Sequence, residues 1–154
     1  MRRKRKFTRE IMPDPKHQNI LVGKFINYLM SEGKKSTAQQ VIYDSFDLIN
    51  KQNKDPLAIF DEAIKNVSPY TEVKSRRIGG ANYQVPREVR GERKIALAFR
   101  WIIKAARSRK GMPMSEKLAE ELLAASRNEG VAIKKKLDTH RMAEANKAFA
   151  HFSW

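Results

Sequence analysis

No cysteine occurs among the 154 residues, which excludes disulfides, thiolate metal sites and cysteine nucleophiles together. That absence fits a reducing compartment. Long apolar runs are missing too: none approaches the roughly 20 residues that cross a bilayer. The opening Arg2 to Lys6 leads into a mixed, proline-containing stretch, unlike the apolar core of a secretory signal. A soluble, cytoplasmic protein without membrane association is expected. Histidine occurs three times, and His17, His140 and His151 lack metal-ligand spacing, so each reads as a surface or packing residue. Glycine is sparse, and the pair Gly79 and Gly80 lacks the further glycines and the helix start of a dinucleotide loop. Glu120 and Glu121 read as a polar helix face paired with nearby lysines or water. Neither an enzyme, a metal site nor a cofactor is expected.

Acidic residues are scarce as well, 17 against 32 lysines and arginines, for a net charge of +15. An excess of that size opposes compaction unless a polyanion neutralises it. The excess is concentrated. Residues 1 to 35 carry ten basic and three acidic side chains, a net of +7, and residues 71 to 110 carry twelve and three, a net of +9. The other segments nearly cancel, at −2 for residues 36 to 70 and +1 for residues 111 to 154. Polarisation of this kind is the electrostatic footprint of a nucleic-acid-binding surface.

Apolar periodicity organises what remains, and 41% hydrophobic residues suffice for a core in one domain of this length. Residues 1 to 18 read as a flexible basic arm, with Pro13 and Pro15 favouring extended backbone before them. From Asn19 the spacing of Ile20, Leu21, Phe25, Tyr28 and Leu29 predicts a first helix ending at Gly33. Ser36 and Thr37 are cap candidates for a second, with Ala38, Val41, Ile42, Phe46 and Ile49 as its stripe. Asp55 and Pro56 open a third, over Leu57 to Val67, with Ile59, Phe60, Ala63 and Ile64 inward. The period then changes: Glu72 to Ile78 and Ala81 to Val89 flank Gly79 and Gly80 as a hairpin, spanning residues 72 to 89. A fourth helix begins at Gly91, Pro113 separates it from a fifth over about Ser115 to Arg127, and a sixth runs from about Val131 to Ala148. The expected fold is mostly α, a single domain of about six helices over residues 19 to 154 with a protruding two-stranded β-hairpin between the third and fourth.

Three constellations suit RNA. On the fourth helix, advancing 100° per residue from Arg93 places Arg100, Lys104 and Arg107 within about 40° of it. Ile95, Ala98, Phe99, Ile102 and Ala106 lie opposite, and Lys94, Arg109 and Lys110 extend the positive field. An ordinary solvated face would mix signs in i to i+4 pairs, and this ridge carries no acid. In the hairpin, the register implied by the glycine pair sets Arg76 opposite Tyr83 and Glu72 opposite Arg87. Neither face is continuously apolar, so the ribbon reads as an arm outside the core, with Arg76, Arg77, Asn82, Tyr83 and Gln84 near its tip, suited to stacking on unpaired bases. The competing reading is an arm that packs on a neighbouring protein. In the N-terminal arm, Arg2, Arg3, Lys4, Arg5, Lys6 and Arg9 can track phosphates and release their counterions, or remain a solvated tail. Lys34 and Lys35 either complement the first helix's dipole or meet phosphate. Trp101 sits at the edge of its helix's apolar stripe and reads as partly buried, and Trp154 closes the chain.

Three stretches also resemble a known family. Asn19 to Ser45 (NILVGKFINYLMSEGKKSTAQQVIYDS), Asn66 to Arg90 (NVSPYTEVKSRRIGGANYQVPREVR) and His140 to Phe152 (HRMAEANKAFAHF) are similar to the small-subunit ribosomal protein seven family of the bacterial type. The resemblance covers essentially the whole chain. It implies a structural ribosomal protein that binds the 3′ major, or head, domain of small-subunit ribosomal RNA and nucleates head assembly. It further implies that the hairpin tip, Gly79 to Asn82, lies near exit-site transfer RNA and messenger RNA, while the C-terminal segment adjoins neighbouring ribosomal proteins. Lys34, Lys35, Arg76, Arg77 and Gly79 match motif positions directly. A nucleic-acid-processing enzyme or a DNA-compacting protein would share the basic surface without these ordered motifs.

Overall fold

The computed structural model describes residues 11 to 152, which fall in two compact units divided between Gln40 and Val41. Arg2, Arg3, Lys4, Arg5, Lys6, Arg9 and Trp154 lie outside the described residues.

In the first unit, α1 (Ile20–Leu29) starts where the Asn19 side chain accepts hydrogen bonds from the Leu21 and Val22 amides at 2.7 and 3.4 Å. This satisfies two amide groups that a helix start leaves without partners. The expected stripe is corrected in part: Phe25 and Leu29 are buried, but Ile20 and Tyr28 are exposed and Leu21 is half-buried, while Val22 and Ile26 take the inward places. The helix ends earlier than Gly33, which instead takes a positive φ of 75° in the turn leading to α2. Helix α2 (Lys35–Asn50) begins at Lys35, so Ser36 and Thr37 occupy its first turn and do not cap it. The correction has a simple cause: the Lys34 carbonyl already accepts from the Ala38 amide, which starts the helical ladder two residues before Ser36.

In the second unit, α3 (Pro56–Val67) is capped by Asp55, whose carboxylate accepts from the Leu57 amide at 3.0 Å, with Pro56 in the first turn. Proline suits that place because its missing N–H would have no helical partner. Helix α4 spans Gly91–Ser108, α5 Met114–Ser126 and α6 Val131–Ala145. A mainly aromatic centre joins three of them. Phe60 of α3 meets Phe46 of α2 edge-on at 5.8 Å between ring centroids and Phe99 of α4 in a stacked arrangement at 6.3 Å. All three rings are buried, and each such pair adds about 0.5–1.5 kcal/mol beyond the area it removes from water. Asn66, near the end of α3, donates through its amide to the Ala125 and Ser126 carbonyls at 3.1 and 2.9 Å. It thereby fastens α3 to the C-terminal end of α5, where the Ala125 carbonyl also accepts from the Asn128 amide.

Strands β1 (Thr71–Ile78) and β2 (Ala81–Glu88) pair antiparallel, with Arg76 opposite Tyr83, Lys74 opposite Val85 and Glu72 opposite Arg87. Gly79 and Gly80 make the two-residue turn at φ of 57° and 91°, the left-handed backbone that tight hairpins require at both positions. The sequence reading is corrected at the ribbon's base, where Glu72, Val85 and Val89 are buried and α6 packs against both strands. The polar face still enters the core because its buried acid finds partners, as described below. Helix α6 is also shorter than expected. The Asn146 side chain turns back to donate to the Met142 carbonyl at 2.8 Å, and a 3₁₀ helix, Lys147–Phe152, follows and packs on β2.

Glu121 overturns another expectation. It is fully buried, accepting from the Arg109 guanidinium at 2.9 Å and from the Ala132 amide at 3.0 Å. One carboxylate thus joins the end of α4, the middle of α5 and the start of α6. Gly130 makes room for it, since a Cβ there would lie 2.9 Å from the Glu121 Oε1 on a backbone at φ of 95°. Replacing Glu121 with Ala leaves the Ala132 amide without its acceptor and Arg109 with Glu120 alone. Stability should fall by about 3 kcal/mol, the range for breaking a buried ion pair by removing one partner. Urea unfolding of the variant measures this directly, and a change under ~0.5 kcal/mol would remove Glu121 from its role as a joint.

Candidate nucleic-acid interface

Helix α4 presents opposite characters on opposite sides. Ala98, Phe99, Ile102, Ile103, Ala105 and Ala106 are buried, whereas Arg93, Arg100, Lys104 and Arg107 are exposed. The four cations therefore share one solvent-facing ridge on a helix whose other side is fixed in the core. Trp101 and Lys94 are half-buried at its flanks, and Lys110 is exposed just past its end. Arg109 serves a different purpose. It lies 2.6 Å from Glu120 and 2.9 Å from Glu121, and so closes the joint to α5.

At the other end of the ridge a carboxylate ties the hairpin to α4. Glu72 is 8% exposed and accepts from the Arg87 Nε at 2.9 Å and from the Arg93 Nε at 2.9 Å, with a second Arg93 nitrogen at 2.8 Å. Burial alone would raise the Glu72 pKa, but the hydrogen bonds and charges of Arg93 and then Arg87 outweigh it and hold the carboxyl below the ordinary glutamate value. The same bonds raise the pKa of Arg93. Arg93 thus belongs to a joint as well as to the ridge. Arg87, Arg90 and Arg93, with Glu88 and Glu92, line an open cleft of about 580 Å³ at this corner. Arg87 and Arg90 were absent from the candidates read in the sequence. For Arg87 the signal was available in its register opposite Glu72; for Arg90 there was none.

At the hairpin tip, Arg77, Gly79, Gly80 and Asn82 are exposed. Arg76 and Tyr83 are half-buried and face the chain's own C-terminal turn. The Tyr83 ring lies 5.3 Å from Phe149 and 5.4 Å from Phe152, and Arg76 donates to the Phe152 carbonyl at 3.2 Å. The 3₁₀ helix therefore clasps one side of the ribbon and leaves the glycine turn open.

In the first unit Lys34 and Lys35 are both exposed, with the Lys34 Nζ 2.8 Å from the Glu32 carboxylate. They stand at the start of α2 and not at the end of α1. A cation there opposes the local helix dipole and does not complement it, which removes one of the two roles read for them. Among the described residues no group of three or more His, Cys, Asp or Glu side chains could hold a metal ion, and no helix is long and apolar enough to cross a membrane.

The fold and the charge pattern together define a basic, mainly helical protein with a hairpin inserted before its most cationic helix. A family model described as ribosomal protein S7p/S5e matches residues 1–147. The small ribosomal subunit protein uS7 of Thermotoga petrophila is 58% identical, the alignment covering 100% of both chains. Proteins of the same name from Phenylobacterium zucineum and Dehalococcoides mccartyi are 56% and 54% identical, with 99% of each chain covered. The chain belongs to the ribosomal protein S7p/S5e family.

The Glu72 joint has a pH signature. A carboxyl whose folded pKa is lowered adds stability that is present above its unfolded pKa and is lost as the pH falls through the folded one. Glu72→Gln should therefore unfold at lower urea than the parent at neutral pH, with the gap shrinking below about pH 4, near the free glutamate pKa. Urea midpoints across this range test it, and a gap that stays constant into acid would show that ionisation of Glu72 is not what holds the joint.

Proposed function

We propose that this chain is a structural, non-enzymatic constituent of the small ribosomal subunit, acting with the translation machinery in the cytoplasm. Relatives spanning its full length carry the name of a small ribosomal subunit protein. In this reading it binds the 3′ major domain of small-subunit ribosomal RNA and nucleates folding of the subunit head. The observation that carries the proposal is the α4 ridge: exposed cations on a helix whose reverse side is locked in the core. With the backbone fixed, such cations have only side-chain freedom left to lose on meeting phosphates.

Other elements take complementary parts. The basic residues of an arm over residues 1 to 18 supply counterion release, and Lys34 and Lys35 add two further phosphate contacts. The body over residues 19 to 154 supplies the shaped surface. The exposed tip, Arg77 with Gly79, Gly80 and Asn82, extends toward exit-site transfer RNA and messenger RNA. Glycines there let nucleic-acid backbone approach closely. The C-terminal segment and the outer side of the hairpin adjoin neighbouring ribosomal proteins.

Affinity for a head-domain RNA transcript should fall steeply with salt, its logarithm changing by about −0.7 to −0.9 per phosphate contacted for each unit of log salt. Because Lys104 and Arg77 are exposed, replacing both with Ala should leave the circular dichroism spectrum unchanged and flatten that slope by about 1.5, two contacts' worth. Binding isotherms across a salt series measure both quantities. An affinity indifferent to salt would contradict the proposal.

A further inference from the structure

Tyr70, immediately before β1, is 65% exposed, more than any other Phe, Tyr or Trp among the described residues. Its position is nonetheless fixed. The Tyr70 amide donates to the His140 Nε2 at 3.1 Å, and its carbonyl accepts from the Val89 amide at 3.0 Å. Two ammonium groups from different helices approach the ring, Lys94 of α4 at 5.1 Å and Lys136 of α6 at 5.7 Å from its centroid. The His140 ring lies 6.1 Å away, tilted by 35°.

The lysines differ in what holds them. Lys136 donates to the Asn66 carbonyl at 2.6 Å, and burial pushes its pKa down. It is anchored to the protein. Burial, and then the neighbouring Lys136 charge, also lower the pKa of His140, in keeping with a neutral imidazole whose Nε2 accepts the Tyr70 amide. Lys94 has its ammonium beside the ring and lies on the same helix as the cationic ridge.

Attraction between a cation and an aromatic face accounts for the lysines' approach. It does not account for leaving the ring in water, since a tyrosine that served only to cover lysine stems would be buried by them. An exposed ring flanked by cations suits an unpaired nucleotide. Its base stacks on the ring while its phosphate meets an ammonium group, and any base qualifies because every base has a π-face. A paired duplex offers no free face for such contact. We propose that Tyr70, with Lys94 and Lys136, forms a stacking site for one unpaired nucleotide of the RNA that the chain binds, the base on the phenol ring and the phosphate at Lys94. The site is separate from the hairpin tip and from the four-cation ridge, and it rests on the RNA-binding reading above.

The test uses the full chain and a head-domain transcript in which bromouridine replaces uridine, since halogenated bases cross-link under ultraviolet light to aromatic rings stacked on them. A cross-link is expected on the peptide bearing Tyr70. Tyr70→Phe should bind within about twofold of the parent, whereas Tyr70→Ala should lose about tenfold, within the range for one stacked base. The salt slope of Tyr70→Ala should equal the parent's, because a base contact releases no counterion, whereas Lys94→Ala should flatten it by about 0.7 to 0.9. Parental affinity in Tyr70→Ala together with no cross-link at Tyr70 overturns this site while leaving the proposed function standing. Failure of the parent to bind the transcript at all overturns the function, and this site with it.

Discussion

Repulsion among like charges is the constraint on which the rest of the structure depends. With 32 lysines and arginines against 17 acids in 154 residues, compaction brings cations together at a cost that hydrophobic burial must exceed. The fold meets this in two ways. Apolar stripes put the aromatic centre of Phe46, Phe60 and Phe99 deep in the second unit, and buried carboxylates sit where elements join. Glu72 holds Arg87 and Arg93 at the junction of hairpin and α4; Glu121 holds Arg109 at the junction of α4, α5 and α6. A buried acid without partners would destabilise the protein, and the arginines would repel one another without the acid. Each makes the other tolerable.

A division of labour among the cations follows. Arg109, Arg87 and, in part, Arg93 are committed within the protein, and Arg76 reaches the Phe152 carbonyl. Lys104, Lys110 and Arg77 face solvent. Charge counted along a sequence treats these groups as equal, although only the outward ones can neutralise a phosphate without first breaking an internal bond.

That difference also marks what was legible in the sequence. Local elements were: the 3.6-residue spacing of Ile59, Phe60, Ala63 and Ile64 placed α3, and the pair Gly79 and Gly80 placed the turn and, through it, the whole register of the hairpin. These depend on residues a few positions apart. What could not be read depends on tertiary approach. Nothing near Glu121 in the chain announces that Arg109 and the Ala132 amide will converge on it, and its neighbour Glu120, identical in kind, is exposed. The ring contacts of Tyr83 with Phe149 and Phe152 span more than sixty residues, as does the hydrogen bond from the Tyr70 amide to His140. Glu72 lies between the two cases. Its pairing with Arg87 follows from the register, but that with Arg93 needs α4 to turn back against the strands. The end of α6 escaped for another reason: its weak amphipathicity gave no boundary, and the helix stops at Ala145, where the amide and the side chain of Asn146 both donate to the Met142 carbonyl.

The hairpin gathers these threads. A two-stranded ribbon in water is marginal by itself, and this one carries cations along its length, whose mutual repulsion weakens it further. Three attachments offset that. Val85 and Val89 enter the core at its base, Glu72 fastens it to α4, and the C-terminal 3₁₀ helix lays Phe149 and Phe152 against Tyr83. All three act away from the turn. Order is thus imposed on the ribbon from its root and one side, while at the tip Gly79 and Gly80 stay exposed and Ala81 and Asn82 pair across the ribbon with Ile78 and Arg77. A surface meant to meet a partner must be held in position without having its own groups consumed by what holds it. Placing the acid, the apolar residues and the aromatic clasp at the root and flank meets both requirements.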